Sequence, residues 1–211
     1  MAVTQSSEQS SNRTSKQTAK RLFFLALVFS PLAFGTVEPW SCAVMEIAVA
    51  GALLVYLIRA MRDNRPLSEV PGLFFVVLIL GWVLFQLVPL PPALVRFFSP
   101  AVFNVHQNAA LGGESHLWMT LSVHPRATLA EFFRYATYAA IYILTVQLLV
   151  NRDVLRQTVF AVTIFGALLA FSSILQLYLT ADMALWVRHV PVNSMIVGPY
   201  ICHNHYAGLM E

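Results

Sequence analysis

Charge is what this chain has least of. Only 11% of its 211 residues are Asp, Glu, Lys or Arg, against 58% that are hydrophobic. That balance excludes an ordinary soluble domain, which carries about a quarter charged residues. Cysteine is nearly absent as well. Cys42 and Cys202 are the only two, and they either close one disulfide or remain two small buried thiols, with the second reading favoured. No glycine-rich phosphate loop or dinucleotide fingerprint occurs, which argues against an ATP-driven or soluble redox role. No internal repeat is visible. His203 and His205 form an H-x-H pair, but two ligands without a third at fixed spacing do not make a metal site.

What remains is apolar sequence in long runs. Five stretches, at about residues 21–38, 41–58, 71–88, 128–150 and 157–179, are bounded by charge or proline. A hydrocarbon core of about 30 Å needs about 20 mostly apolar residues in helical form, and helices satisfy their own backbone polar groups there. The expected fold is therefore all-α: a polytopic transmembrane bundle of five complete spans, with a sixth beginning near residue 203 and an outer loop over 89–127. Residues 1–20, rich in Ser, Thr and Gln, read as a disordered cytoplasmic tail. A cleaved signal peptide is the rival reading of the start, disfavoured by the long tail and by the span that follows at once.

The formal charge of +3 is explained by topology rather than by an acidic or nucleic-acid partner. Arg13, Lys16, Lys20 and Arg21 precede the first stretch, Arg59, Arg62 and Arg65 follow the second, and Arg152 and Arg156 follow the fourth. The other connections hold only Arg96, Arg126 and Arg188. The positive-inside rule then puts the N-terminus in the cytoplasm.

Polar residues inside the stretches collect towards the predicted outer ends: Glu46, Gln86, Glu131, Ser172, Ser173 and Gln176. Glu131, Arg134, Tyr135, Tyr138 and Tyr142 recur at helical spacing on one face. Arg134 lies deep enough to require a carboxylate, a phosphate or a water-filled cavity. Thr128 and Glu131 also fit a capping box opening the fourth span. Residues 94–98 read as a short helix on the membrane surface, and Gly166, Ala167 and Ala170 would permit close helix packing.

The segment from Gly198 to Glu211 reads GPYICHNHYAGLME. It resembles the Gly-Pro-aromatic-x-x-x-Asn-His-aromatic-Ala-Gly run of the O-antigen ligase and polymerase family, carried here by Gly198, Pro199, Tyr200, Asn204, His205, Tyr206, Ala207 and Gly208. Three earlier pieces are similar to that family's N-terminal region in the same order: FGTVEPW at 34–40, VPLPP at 88–92 and LSVHPRATL at 121–129. The resemblance implies an inner-membrane glycosyltransferase that moves a glycan from undecaprenyl diphosphate to lipid A core, a growing polysaccharide or a protein at the periplasmic face. It implies an inverting displacement with no metal or other cofactor. It also implies that a large catalytic loop lies beyond Glu211, so that this chain is an N-terminal portion whose catalytic residues are unknown. Arg134, Arg188, His189, His203, Asn204 and His205 are the substrate-binding candidates. Arginine forks hold phosphate oxygens, and histidine exchanges protons near neutral pH. The alternative is a non-enzymatic transporter or assembly subunit. It is disfavoured because a transporter places polar or broken segments near the midplane, whereas the inner halves here are apolar.

Overall fold

Proline and glycine set the ends of the helices. The computed structural model describes residues 21, 23–32, 38–64, 66–110, 118–150, 152–179, 183–184 and 188–189. They form α1 (Phe23–Leu32), α2 (Pro39–Arg62), α3 (Leu73–Phe85), α4 (Pro92–Phe98), α5 (Pro100–Ala110), α6 (Pro125–Leu148) and α7 (Arg152–Leu179). A two-residue antiparallel pair, β1 (Met183–Ala184) with β2 (Arg188–His189), completes them. The elements among the described residues are thus helices, apart from that pair and an isolated bridge. The tail 1–20, Arg65, Cys202 and the GPYICHNHYAG segment lie outside the described residues.

Four helices begin with proline at the first position, where its missing amide costs nothing: α2, α4, α5 and α6. Helix α2 follows Glu38, whose carbonyl accepts the Ser41 and Cys42 amides at 3.0 Å and the Ser41 hydroxyl at 2.9 Å. It closes with Arg59 and Arg62 in its last turn, where positive charge complements the carbonyl end. Asn64 then turns the chain at φ 47, a left-handed conformation that Asn tolerates. Val70, Pro71, Gly72 and Leu73 form a type II turn into α3. The Leu73 amide donates to the Val70 carbonyl, and Gly72 at φ 69 supplies the positive φ that the third turn position needs.

The chain divides into two compact units, Met1–Ser68 with Ala140–Glu211, and Glu69–Ala139. In the first unit the core joins α1, α2 and the end of α6. Phe23 and Ala26 pack with Met45, Val49 and Ala52 and with Ala140 and Leu144. The α2 contribution is a stripe of mostly small side chains, Ser41, Met45, Val49, Ala52 and Ala60, at helical spacing, the composition that lets helix backbones approach closely. In the second unit Leu90 and Met119 pair as an isolated antiparallel bridge, at 2.8 and 2.9 Å. Val95 of α4 is fully buried, and Phe85 meets Phe98 edge to face at 6.1 Å.

The helices are apolar on the outside. Val159, Phe160, Val162, Leu168, Phe171 and Ile174 of α7 are exposed, whereas Thr158, Ser173 and Gln176 are buried. Among the described residues α3 buries none of its own side chains, and Phe74 is 71% exposed. Two helices, α2 and α7 as far as Gln176, are long and apolar enough to cross a membrane, and only 22% and 17% of their most apolar windows are buried inside the protein. A core helix of a soluble protein would be mostly covered. Polar side chains meet the same condition locally. Thr137, Thr145, Thr158 and Thr163 each donate to the carbonyl four residues back, and Ser172 and Ser173 both donate to Leu169. Such back-bonding satisfies a hydroxyl where water is absent.

Candidate functional site

A connected polar cluster in the second unit surrounds the start of α6. The helix does not open at Thr128, as a capping box with Glu131 would have it. It opens at His124: the Thr128 amide donates to the His124 carbonyl at 3.1 Å, and the Ala127 amide to His124 Nδ1 at 3.2 Å. Pro125 occupies the first helical position, so the imidazole does the work that Ser, Asp or Asn usually does at a helix start. This contact leaves Nδ1 without a proton and puts the ring hydrogen on Nε2.

Ser122 holds this cap in place. It is buried, its hydroxyl accepts the His124 amide at 3.2 Å and pairs with the Thr128 hydroxyl at 2.7 Å, and its own amide donates to the Gln86 carbonyl at 3.0 Å. The Thr120 hydroxyl donates to the Ser122 carbonyl at 2.7 Å, and His106 of α5 donates from Nε2 to the Thr120 carbonyl at 3.1 Å. The motif Leu121–Leu129 is therefore a helix-capping device tied to the end of α3 and to α5. Ser122→Ala, which removes the acceptor and a buried hydroxyl pair, is expected to lower stability by about 1–2 kcal/mol. Thermal unfolding in detergent measures it, and an unchanged midpoint would remove Ser122 from the network.

From this cap α6 presents the polar and aromatic stripe. Glu131 and Arg134 form an ion pair one turn apart, each nearly half exposed. The Tyr135 and Tyr138 rings meet edge to face at 6.3 Å, and Tyr142 is exposed one turn further on. Arg134 thus has a carboxylate partner, Glu131, on its own helix. An exposed pair of this kind contributes little stability in water, about 0–1 kcal/mol. The stripe thus sets a guanidinium and three tyrosines along one helix face, side-chain types that contact phosphate and sugar oxygens.

The remaining candidates are placed unevenly. Glu46, half buried on α2, and Gln176, buried on α7, belong to the first unit, while Gln86, at the end of α3, and Glu131 belong to the second. Arg188 and His189 form β2, facing Ala184 and Met183 in register. His203, Asn204 and His205 lie outside the described residues.

The structure also gathers residues that sequence reasoning did not single out. His106, Thr120, Ser122 and His124 make the cap network, and its readable signal was a His-Pro pair ahead of a helical run. Gln147 is a second case. Its Oε1 accepts the Ser68 amide at 3.0 Å and the Tyr56 hydroxyl at 3.3 Å, while its Nε2 donates to the Ser68 carbonyl at 2.7 Å. No protein-family model, curated protein or solved structure matches the chain.

Proposed function

We propose that this chain belongs to an inner-membrane glycosyltransferase of the O-antigen ligase and polymerase kind, which transfers an undecaprenyl-diphosphate-linked glycan at the periplasmic face. The observation that carries this reading is the ordered series of four sequence motifs that ends in GPYICHNHYAG. The fold proposed with it has five spans and the start of a sixth, with the N-terminus in the cytoplasm. It is supported by nine basic residues gathered in the three predicted inner segments and by the apolar exterior of α2, α3 and α7.

In this reading the stripe on α6 faces the periplasm. Arg134 holds diphosphate oxygens of the leaving group, Glu131 keeps its guanidinium in position before substrate arrives, and Tyr135 and Tyr138 line the approach with hydroxyls and aromatic faces. Arg188, His189, His203, Asn204 and His205 remain substrate-binding candidates on residue type alone. Charge stabilisation of a leaving group is worth most where water is excluded.

Arg134→Ala, introduced into the chromosomal gene, is expected to lower surface polysaccharide at least about a hundredfold, the usual effect of removing one charge-stabilising donor, with the membrane level of the protein unchanged. Arg134→Lys retains charge without the planar fork and is expected to fall between the two. Normal polysaccharide in both variants sinks the role of Arg134. Normal polysaccharide after complete deletion of the gene sinks the enzyme reading and leaves the transporter or assembly subunit.

A further inference from the structure

The first turns of α7 carry a second charged feature, on the face that the glycan-transfer reading leaves unused. An open groove of about 800 Å³ runs along this helix, lined by Arg152, Leu155, Arg156, Gln157, Val159, Phe160 and Thr163. All but Gln157 recur at three- and four-residue intervals and so share one face. Arg152 and Arg156, both exposed, stand one turn apart at its mouth. Among the described residues neither arginine has a carboxylate partner. Leu155, Val159 and Phe160 continue the groove as an apolar and aromatic wall, and the Thr163 hydroxyl is already spent on the Val159 carbonyl at 2.9 Å. Two guanidinium groups with no carboxylate partner among the described residues, above such a wall, are unlike a plain solvated helix end, because the mouth of the groove asks for an anion and the rest of it for hydrocarbon.

We infer that this groove is a binding site for an anionic phospholipid, with the phosphodiester held between Arg152 and Arg156 and an acyl chain lying along Val159 and Phe160. Guanidinium forks match phosphate oxygens geometrically, and basic pockets beside membrane helices on the cytoplasmic side attract acidic headgroups. The volume falls within the range of small-ligand sites, about 300–1,000 Å³. The inference rests on α7 spanning the membrane and not on glycan transfer. The charge pattern supports a cytoplasmic position for this end of α7.

The test is native mass spectrometry of the detergent-purified protein titrated with phosphatidylglycerol, with phosphatidylcholine of the same chains, and with phosphatidylglycerol in the presence of inorganic phosphate. Phosphatidylglycerol is expected to bind at least about tenfold more tightly than phosphatidylcholine. R152Q/R156Q is expected to bind it about thirtyfold more weakly, the loss of two surface charges near an anionic headgroup. R152K/R156K, which keeps the charge without the fork, is expected to fall between the wild type and R152Q/R156Q, and R59Q/R62Q to retain all of the affinity. Equal binding by wild type and R152Q/R156Q overturns the site. So does an absence of preference between the two lipids, and displacement by free phosphate would assign the groove to a soluble phosphate compound instead. A protein that transfers glycan normally yet shows no lipid preference loses only this site. One that carbonate washing removes from membranes loses the membrane-spanning reading with it.

Discussion

Gln147→Leu is expected to destabilise the first unit by about 2–4 kcal/mol. The Gln147 amide pairs with both backbone groups of Ser68, accepting from the amide and donating to the carbonyl, and so imitates one rung of a β-ladder between α6 and the chain that follows α2. Leucine has the right bulk and none of the polar atoms. It leaves a part-buried amide and carbonyl unsatisfied, at about 1–3 kcal/mol for each group, and it also removes the acceptor for the Tyr56 hydroxyl. Gln147→Glu separates the parts. It keeps an acceptor for the Ser68 amide but sets a carboxylate oxygen against the Ser68 carbonyl, so an intermediate or larger loss is expected. Tyr56→Phe tests the weakest contact, at 3.3 Å, and is expected to cost no more than about 1 kcal/mol. Unfolding in detergent, followed by circular dichroism, ranks the three. A Gln147→Leu protein that melts with the wild type would show that the connection is held by packing alone.

How much was legible in the sequence follows from the reach of each interaction. Helices α2, α3 and α7 could be read from apolar runs ended by charge or proline, because length, composition and a missing amide are local properties. The start of α6 was legible in principle and misread in practice. Thr128 and Glu131 have capping-box spacing, but Pro125 is the stronger start signal, and the structure gives Thr128 to Ser122 and Glu131 to Arg134. The Glu131–Arg134 pair itself needed only helical spacing. Gln147 was illegible for a different reason. Its partner is a backbone group 79 positions away, and backbone groups leave no trace in side-chain patterns. The polar residues of the predicted outer layer illustrate the limit from the other side. Ser172 and Ser173 count among the polar residues gathered at the predicted outer ends, but their hydroxyls are spent on the Leu169 carbonyl, which a sequence shows only as two serines in an apolar helix.

Leu168→Arg is the substitution whose outcome depends most on the solvent around α7. Leu168 lies near the middle of that helix and is 62% exposed. If water covers that face, replacing an exposed leucine with arginine is nearly neutral, within about 0.5 kcal/mol, and arginine is as good a helix former as leucine. If hydrocarbon covers it, the same change costs about 2.5–3.5 kcal/mol at the helix centre, the penalty for inserting arginine. The second outcome is expected. The exposed side chains around Leu168 are apolar, the buried ones include Ser173 and Gln176, and the hydroxyls of Thr158, Thr163, Ser172 and Ser173 all bond within the helix. Gln157→Arg, at the predicted interface of the same helix, serves as the control and is expected to leave membrane yield unchanged, because a charge there reaches water. Leu78→Arg extends the test to α3. With 13 residues that helix covers only about 20 Å, too short to span by itself, so a loss as large as that at Leu168 would place its centre in hydrocarbon and require the chain on either side to complete the crossing. Membrane yield and detergent melting read all three variants. A Leu168→Arg protein that accumulates and melts like the wild type would falsify the lipid-facing assignment of α7 and, with it, the premise on which both the catalytic stripe and the lipid groove are oriented.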